Sequence, residues 1–168
     1  MVVPSTTSAS PSGSSPPTAD DLRTCATRGD SSRPAKPPAG ATVVGPLMIW
    51  PSLRQPASPS NSTLWPYVWK APILLRARAR VTLAVAPEAV GTAGLWGHRY
   101  GRYVSTVRFL ACREREPVHT YRGTVGKYTQ FPFGFALTTP SACVPIDVWV
   151  DGAGGPQRIV LPVGRPAC

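Results

Sequence analysis

The 168-residue chain has only two histidines, His98 and His119, and eight acidic residues against eighteen basic ones. A hydrolytic triad would have to use one of those two imidazoles, and neither stands in a GxSxG nucleophile elbow. The four cysteines, Cys25, Cys112, Cys143 and Cys168, form no CxxC, and the histidines are far apart, so the spacing of a zinc site is missing. No run approaches the ~20 apolar residues of a membrane-spanning helix. Helical spacing with caps is almost absent as well. These absences predict a protein without metal or cofactor, without a membrane span, and without enzymatic activity.

What is present is proline and glycine, 21 and 15 residues, placed at the front of the chain and between short apolar runs. That arrangement favours short strands joined by turns. The stretch 143–151, CVPIDVWVD, sets Val144, Ile146, Val148 and Val150 on one side of an extended chain and Pro145, Asp147 and Trp149 on the other, a half-buried strand. Ile73 to Val85 alternates likewise, with Arg76, Arg78 and Arg80 on the polar side, but thirteen residues at ~3.3 Å each are too long for one strand here. A bend near Arg78 is expected, giving strands at 72–77 and 80–86. Further strands are predicted at 41–50, 104–112, 129–138 and 157–163, with Phe131, Phe133 and Phe135 sharing a side. The fold class is all-β: an immunoglobulin-like antiparallel β-sandwich of about eight strands with a disordered N-terminal tail. Residues 1–40 read as a Ser/Thr/Pro-rich tether, with Cys25 as a possible pin to the domain, and 41–168 as the disulfide-tied sandwich.

Four scattered cysteines in such a chain fit two disulfides made in an oxidising compartment. Three pairings are possible. Cys112 with Cys143 and Cys25 with Cys168 is favoured, since each joins a strand end to a distant segment; loop closure would contribute roughly 3 to 4 and about 5 kcal/mol. The opening MVVPSTTSASPSGSSPP has neither the basic nor the apolar region of an export signal. An export signal, with room for a lipid-anchor site, is therefore expected upstream of Met1.

Two aromatic groups are the candidate binding residues. Trp65, Tyr67 and Trp69 alternate in WPYVWK, so all three can face one way to stack on sugar rings, with Lys70 following. Trp96, His98, Arg99, Tyr100, Arg102 and Tyr103 interleave rings and cations in a glycine-rich loop. Asp147 and Asp151 share one strand face and are expected to pair with Arg76, Arg78 or Arg80. Asn61, Ser62 and Thr63 spell a glycosylation sequon, relevant only to a eukaryotic secretory route. A formal charge of +10 draws the chain toward anions. It carries no RNA-recognition, helix-turn-helix or finger motif, so no specific nucleic-acid partner is expected.

In order, LRTCATRGD, VVGPL, PILLRARARVTLAV, VRFLAC, FGFAL, CVPIDVWVDG and VGRPAC resemble a family of uncharacterised exported proteins of actinobacteria, over roughly residues 22 to 168. Similar sequences tend to have Gly where this one has Arg78. The resemblance implies a secreted or lipid-anchored protein, supports two disulfides, and implies no activity. Together these readings give a non-catalytic extracellular module of the cell envelope that meets an anionic wall polymer or a glycan. A hydrolase using His98 or His119 is the alternative from another class, and a purely structural or protein-partner domain is a third.

Overall fold

The alternation at 142–150 becomes a nine-residue strand, β13 (Ala142–Val150), whose Val144, Ile146 and Val148 are each 1% exposed. It lies inside a five-stranded sheet between β14 (Gln157–Val163) and β7 (Arg80–Val85), which continues to β10 (Thr106–Leu110) and β1 (Asp21–Arg23). A second sheet runs β11 (Tyr128–Phe131), β6 (Ile73–Arg76), β3 (Leu47–Ile49), β2 (Thr42–Val44). A third runs β4 (Ser58–Pro59), β5 (Tyr67–Lys70), β12 (Gly134–Leu137), β8 (Ala93–Trp96), β9 (Tyr103–Val104). Every strand pair is antiparallel except β1 with β10. This computed structural model describes residues 15–27, 39–50, 57–97, 102–116, 126–164 and 167–168. Among them there is no α-helix.

The chain is thus an all-β protein, but with fourteen strands in three sheets among the described residues, where the sequence suggested about eight in an immunoglobulin-like sandwich. The difference has two sources: 41–50 and 129–138 each divide into two strands, and β1, β4, β5, β8 and β9 form outside the stretches expected as strands. The expected strand 129–138 breaks after Phe131: β11 pairs with β6 in the second sheet, whereas β12 pairs with β5 in the third. The partner chain breaks opposite it, between Lys70 and Ile73, and the Ala71 N–H donates to the Phe133 carbonyl at 2.9 Å across the corner. Two adjacent strands that bend together carry the chain from one sheet to the next. Gly134 makes this possible, because a β-carbon there would lie 2.1 Å from the Trp69 carbonyl oxygen. One buried cluster takes residues from all three sheets.

The expected bend at Arg78 is present. β6 ends at Arg76, Ala79 N–H closes a turn on the Arg76 carbonyl at 3.0 Å, and Arg78 takes a positive φ of 66°. On either side of it Ile73, Leu75, Val81, Leu83 and Val85 are buried, as their alternation requires.

The segment expected as a tether up to residue 40 contains β1, which adds a parallel edge strand to the first sheet with Arg23 opposite Phe109. Of that segment only 15–27 and 39–40 are described. The same pairing corrects the disulfides, which join Cys25 to Cys112 and Cys143 to Cys168, with Cα atoms 5.0 and 5.8 Å apart. Parallel pairing of β1 with β10 brings Cys25 beside Cys112. The β13–β14 hairpin, with Cys143 opposite Pro162, returns the chain end to Cys143. The favoured pairing fails because β7 lies between β10 and β13, with Cys112 beyond one end of β7 and Cys143 beyond the other; each bridge instead staples the ends of adjacent strands. Two disulfides place the folded chain in an oxidising, extracellular type of environment.

The expected carboxylate partners are also corrected. Asp147 accepts two hydrogen bonds from Arg158, at 2.7 and 2.8 Å, because Arg158 sits opposite it on β14. Arg158 also reaches Glu88 at 2.7 Å, and its guanidinium is held above its ordinary pKa chiefly by the Asp147 hydrogen bonds. Asp151 pairs with Arg108 at 3.0 Å. Both arrangements are exposed and contribute about 0 to 1 kcal/mol per pair.

Candidate functional site

Strand alternation decides which aromatic side chains are available. In β5, Trp69 is 7% exposed and stands in line with Phe135 of β12 and Leu95 of β8, all core residues. Tyr67, two residues earlier, also packs against the core. The row Trp65, Tyr67, Trp69 is therefore not one open stacking surface: β5 needs Tyr67 and Trp69 to cover the core, and Trp65, ahead of the strand, lies on the other face. The opposite face carries Val68 and the exposed Lys70. Across the sheet this outer face continues through Gly134 and Ala136, then Gly94, then Trp96 paired with Tyr103. Small residues in the middle and large ones at both sides make a trough. Trp65 lies over part of it, since a β-carbon on Gly94 would be 3.3 Å from the indole, and its ring sits 6.1 Å from that of Tyr103.

A pocket of about 360 Å³ opens on this face, lined by Pro59, Ser60, Asn61, Ser62, Val68 and Lys70 with Trp96 and Tyr103, and closed beneath by Trp69 and Phe135. The Lys70 Nζ stands 5.4 Å from the centre of the Trp96 ring, in cation–π range. The polar wall is a tight loop. Ser60 N–H donates to the Pro66 carbonyl at 2.8 Å, Ser62 N–H to Ser60 Oγ at 3.2 Å, and Trp65 N–H to Ser62 Oγ at 3.1 Å. Each serine oxygen is thus used as an acceptor, which leaves its own O–H to donate. Asn61 is exposed at the lip. The pocket offers ring faces, neutral donors and acceptors, and one cation, in a volume suited to a small ligand or a sugar unit.

The structure brings Trp69, Trp96 and Tyr103 to one pocket although they come from two separate sequence clusters. Trp65 and Tyr67 pack beside it, and Arg102 is exposed at the base of the β8–β9 hairpin, where its carbonyl accepts from Gly97 N–H at 2.8 Å. His98, Arg99, Tyr100 and His119 lie outside the described residues. Pro59, Ser60, Asn61, Ser62, Val68 and Phe135 were missed as lining residues. The only signal was a polar loop directly before an aromatic strand, and nothing in its composition says that it folds over the sheet.

One wall is held from another sheet. Arg23 of β1 is 3% exposed, bonds to Asp21 at 3.0 Å, and donates from Nη2 to the Trp96 carbonyl at 2.9 Å. Burial lowers its pKa and Asp21 opposes that shift. Changing Asp21 to Asn should cost about 2 kcal/mol, limited because an edge strand can peel away from an unpaired buried charge. Urea unfolding should show this loss, amide exchange at Gly97 should quicken, and the double change Asp21→Asn/Arg23→Met should recover most of the stability.

A second hollow, about 470 Å³, lies along Trp149, Asp151 and Gly152 with Ser15 and Pro16. Cys25, Cys112 and Glu116 have ligand atoms within 4.8 Å of one another, but the two sulfurs are bonded together and are not available to a metal. Comparison with protein-family models, with curated proteins and with solved structures returns no match.

Proposed function

We propose that this chain is a non-catalytic module of the cell envelope, exported from the cell, an immunoglobulin-sized sandwich that binds a carbohydrate in the pocket between Lys70 and Trp96. The observation that carries this reading is the meeting of the Trp96 and Tyr103 rings with sequence-distant Lys70 and the Ser60–Asn61–Ser62 loop around one pocket whose remaining wall is hydroxyl and amide. A pyranose presents an apolar face to an aromatic ring and hydroxyls at its rim, and Trp96 with Tyr103 and the Ser60–Asn61–Ser62 loop answer both needs. Lys70 adds a preference for sugars bearing a carboxylate or phosphate. Two disulfides favour a location outside the cytosol.

The test is binding to a panel of immobilised wall polysaccharides and oligosaccharides. Trp96→Ala should weaken the best ligand by about 2 kcal/mol, some thirtyfold, with little change in Tm. Asn61→Ala should cost a further factor of roughly five. The reading fails if the wild-type protein is retained by no member of the panel, or if Trp96→Ala binds as well as wild type.

A further inference from the structure

Because Asp147 and Asp151 take Arg158 and Arg108, the arginines that were expected to neutralise them are left at one end of the molecule. The β6–β7 turn is bound there on both sides: Ala77 N–H donates to the Lys127 carbonyl at 2.8 Å, and Arg78 N–H to the Cys112 carbonyl at 2.9 Å. Arg76 stands opposite Tyr128, next to Lys127, and Arg80 stands opposite Leu110 at the end of β10. Arg113 and Arg115 follow Cys112. Six cations from three separate stretches, Arg76, Arg78, Arg80, Arg113, Arg115 and Lys127, therefore share this end, and all six are exposed. None of them makes an ion pair among the described residues. Three carboxylates are at hand: Glu114, Glu116, which already accepts from the Arg113 backbone N–H at 2.8 Å, and Asp151, whose N–H donates to the Arg80 carbonyl at 3.1 Å and whose carboxylate is taken by Arg108.

Arg78 and Arg115 have φ of 66° and 63°, and among the described residues they are the only non-glycine residues with positive φ. The left-handed conformation disfavours a side chain with a β-carbon, and glycine would adopt it freely. Stability gives no reason for arginine at both places. A need for charge at this end does.

We propose that this end is a second binding surface, for a linear polyanion that carries phosphate or sulfate groups along its length. Guanidinium forks suit tetrahedral oxyanions, and cations on several turns can follow successive groups of one polymer. The surface extends the envelope reading but does not depend on the sugar pocket, which is built from other residues.

The probes are immobilised long-chain polyphosphate and heparin, eluted with salt. Arg78→Gly/Arg115→Gly removes two charges and relaxes two backbone positions, so its Tm should equal or exceed that of wild type. It should bind roughly tenfold more weakly at ~0.1 M salt, and its slope of log affinity against log salt should fall by about 1.5. Arg76→Gln/Arg80→Gln/Lys127→Gln should lose more. The control Arg102→Gln/Arg158→Gln, at exposed residues that belong to neither surface, has the same net charge as the first variant and should elute with wild type. Equal loss in that control, or unchanged elution of Arg78→Gly/Arg115→Gly, overturns the proposal. Capture by phosphatidylglycerol vesicles without retention on either polymer also overturns it. Sugar binding should be intact in Arg78→Gly/Arg115→Gly and polyanion retention intact in Trp96→Ala, so either surface can fail while the other stands.

Discussion

Replacing Cys25 and Cys112 by serine should destabilise the protein by about 4.6 kcal/mol, from the entropy of a loop this long, and lower Tm by roughly 10 to 15 °C. The two residues are 87 apart in sequence, against 25 for Cys143 and Cys168, whose loss should cost about 3.5 kcal/mol. The larger difference lies in function. Cys25 fastens the end of β1, a three-residue edge strand whose Arg23 bonds the carbonyl of Trp96. Three residues of parallel pairing make a weak attachment without the covalent link. Release of β1 frees the end of β8, and Trp96 moves out of register with Lys70. Cys25→Ser/Cys112→Ser should therefore lose sugar affinity at temperatures where it is still folded. Cys143→Ser/Cys168→Ser should keep it, because no residue of that hairpin lines the pocket. Thermal unfolding and binding at ~20 °C check both arms. Equal retention of affinity in the two variants would show that β1 plays no part in holding the pocket wall.

The parts of the fold that period-2 patterning dictates were legible before any coordinates. Val144, Ile146 and Val148 face the core, and the chain turns at Arg78, because burial rewards one face of a strand and a small domain limits its length. What was not legible depends on contacts between distant segments. The alternation of Trp65, Tyr67 and Trp69 is the same whether that face meets solvent or core; only the placing of β5 beside β12 turns Trp69 inward and Lys70 outward. The partner of Asp147 was similarly hidden. Arg158 and Arg80 are both plausible neighbours of β13 in sequence, and the choice is made by the register of β14. The pairing of cysteines required knowing that a stretch read as tether adds a strand to the first sheet. The pocket needs all of these at once, and so only Trp69, Lys70, Trp96 and Tyr103 among its lining residues could be named from the sequence.

Phe133→Ala should be the most damaging single substitution in the core, with a loss of about 4 kcal/mol. Phe131, Phe133 and Phe135 were expected on one face of one strand, and all three are buried, but the chain changes sheets among them. Phe133 sits at that corner between β11 and β12. Its ring packs edge-on against Phe109 of the first sheet, 5.8 Å away, and against Phe135 of the third, 5.2 Å away, while Phe109 reaches Phe131 of the second at 5.3 Å. One side chain thus fills the space where three sheets meet, and no single sheet can shift to close the cavity without parting from another. Partial collapse, which softens many Phe→Ala changes, is blocked here by geometry. Phe133→Leu should cost only about 1 to 2 kcal/mol, because a branched aliphatic side chain fills most of the same volume. Urea unfolding followed by tryptophan fluorescence measures both. A loss below about 1.5 kcal/mol for Phe133→Ala would mean that the corner can close, and that the three sheets are not held together by this cluster.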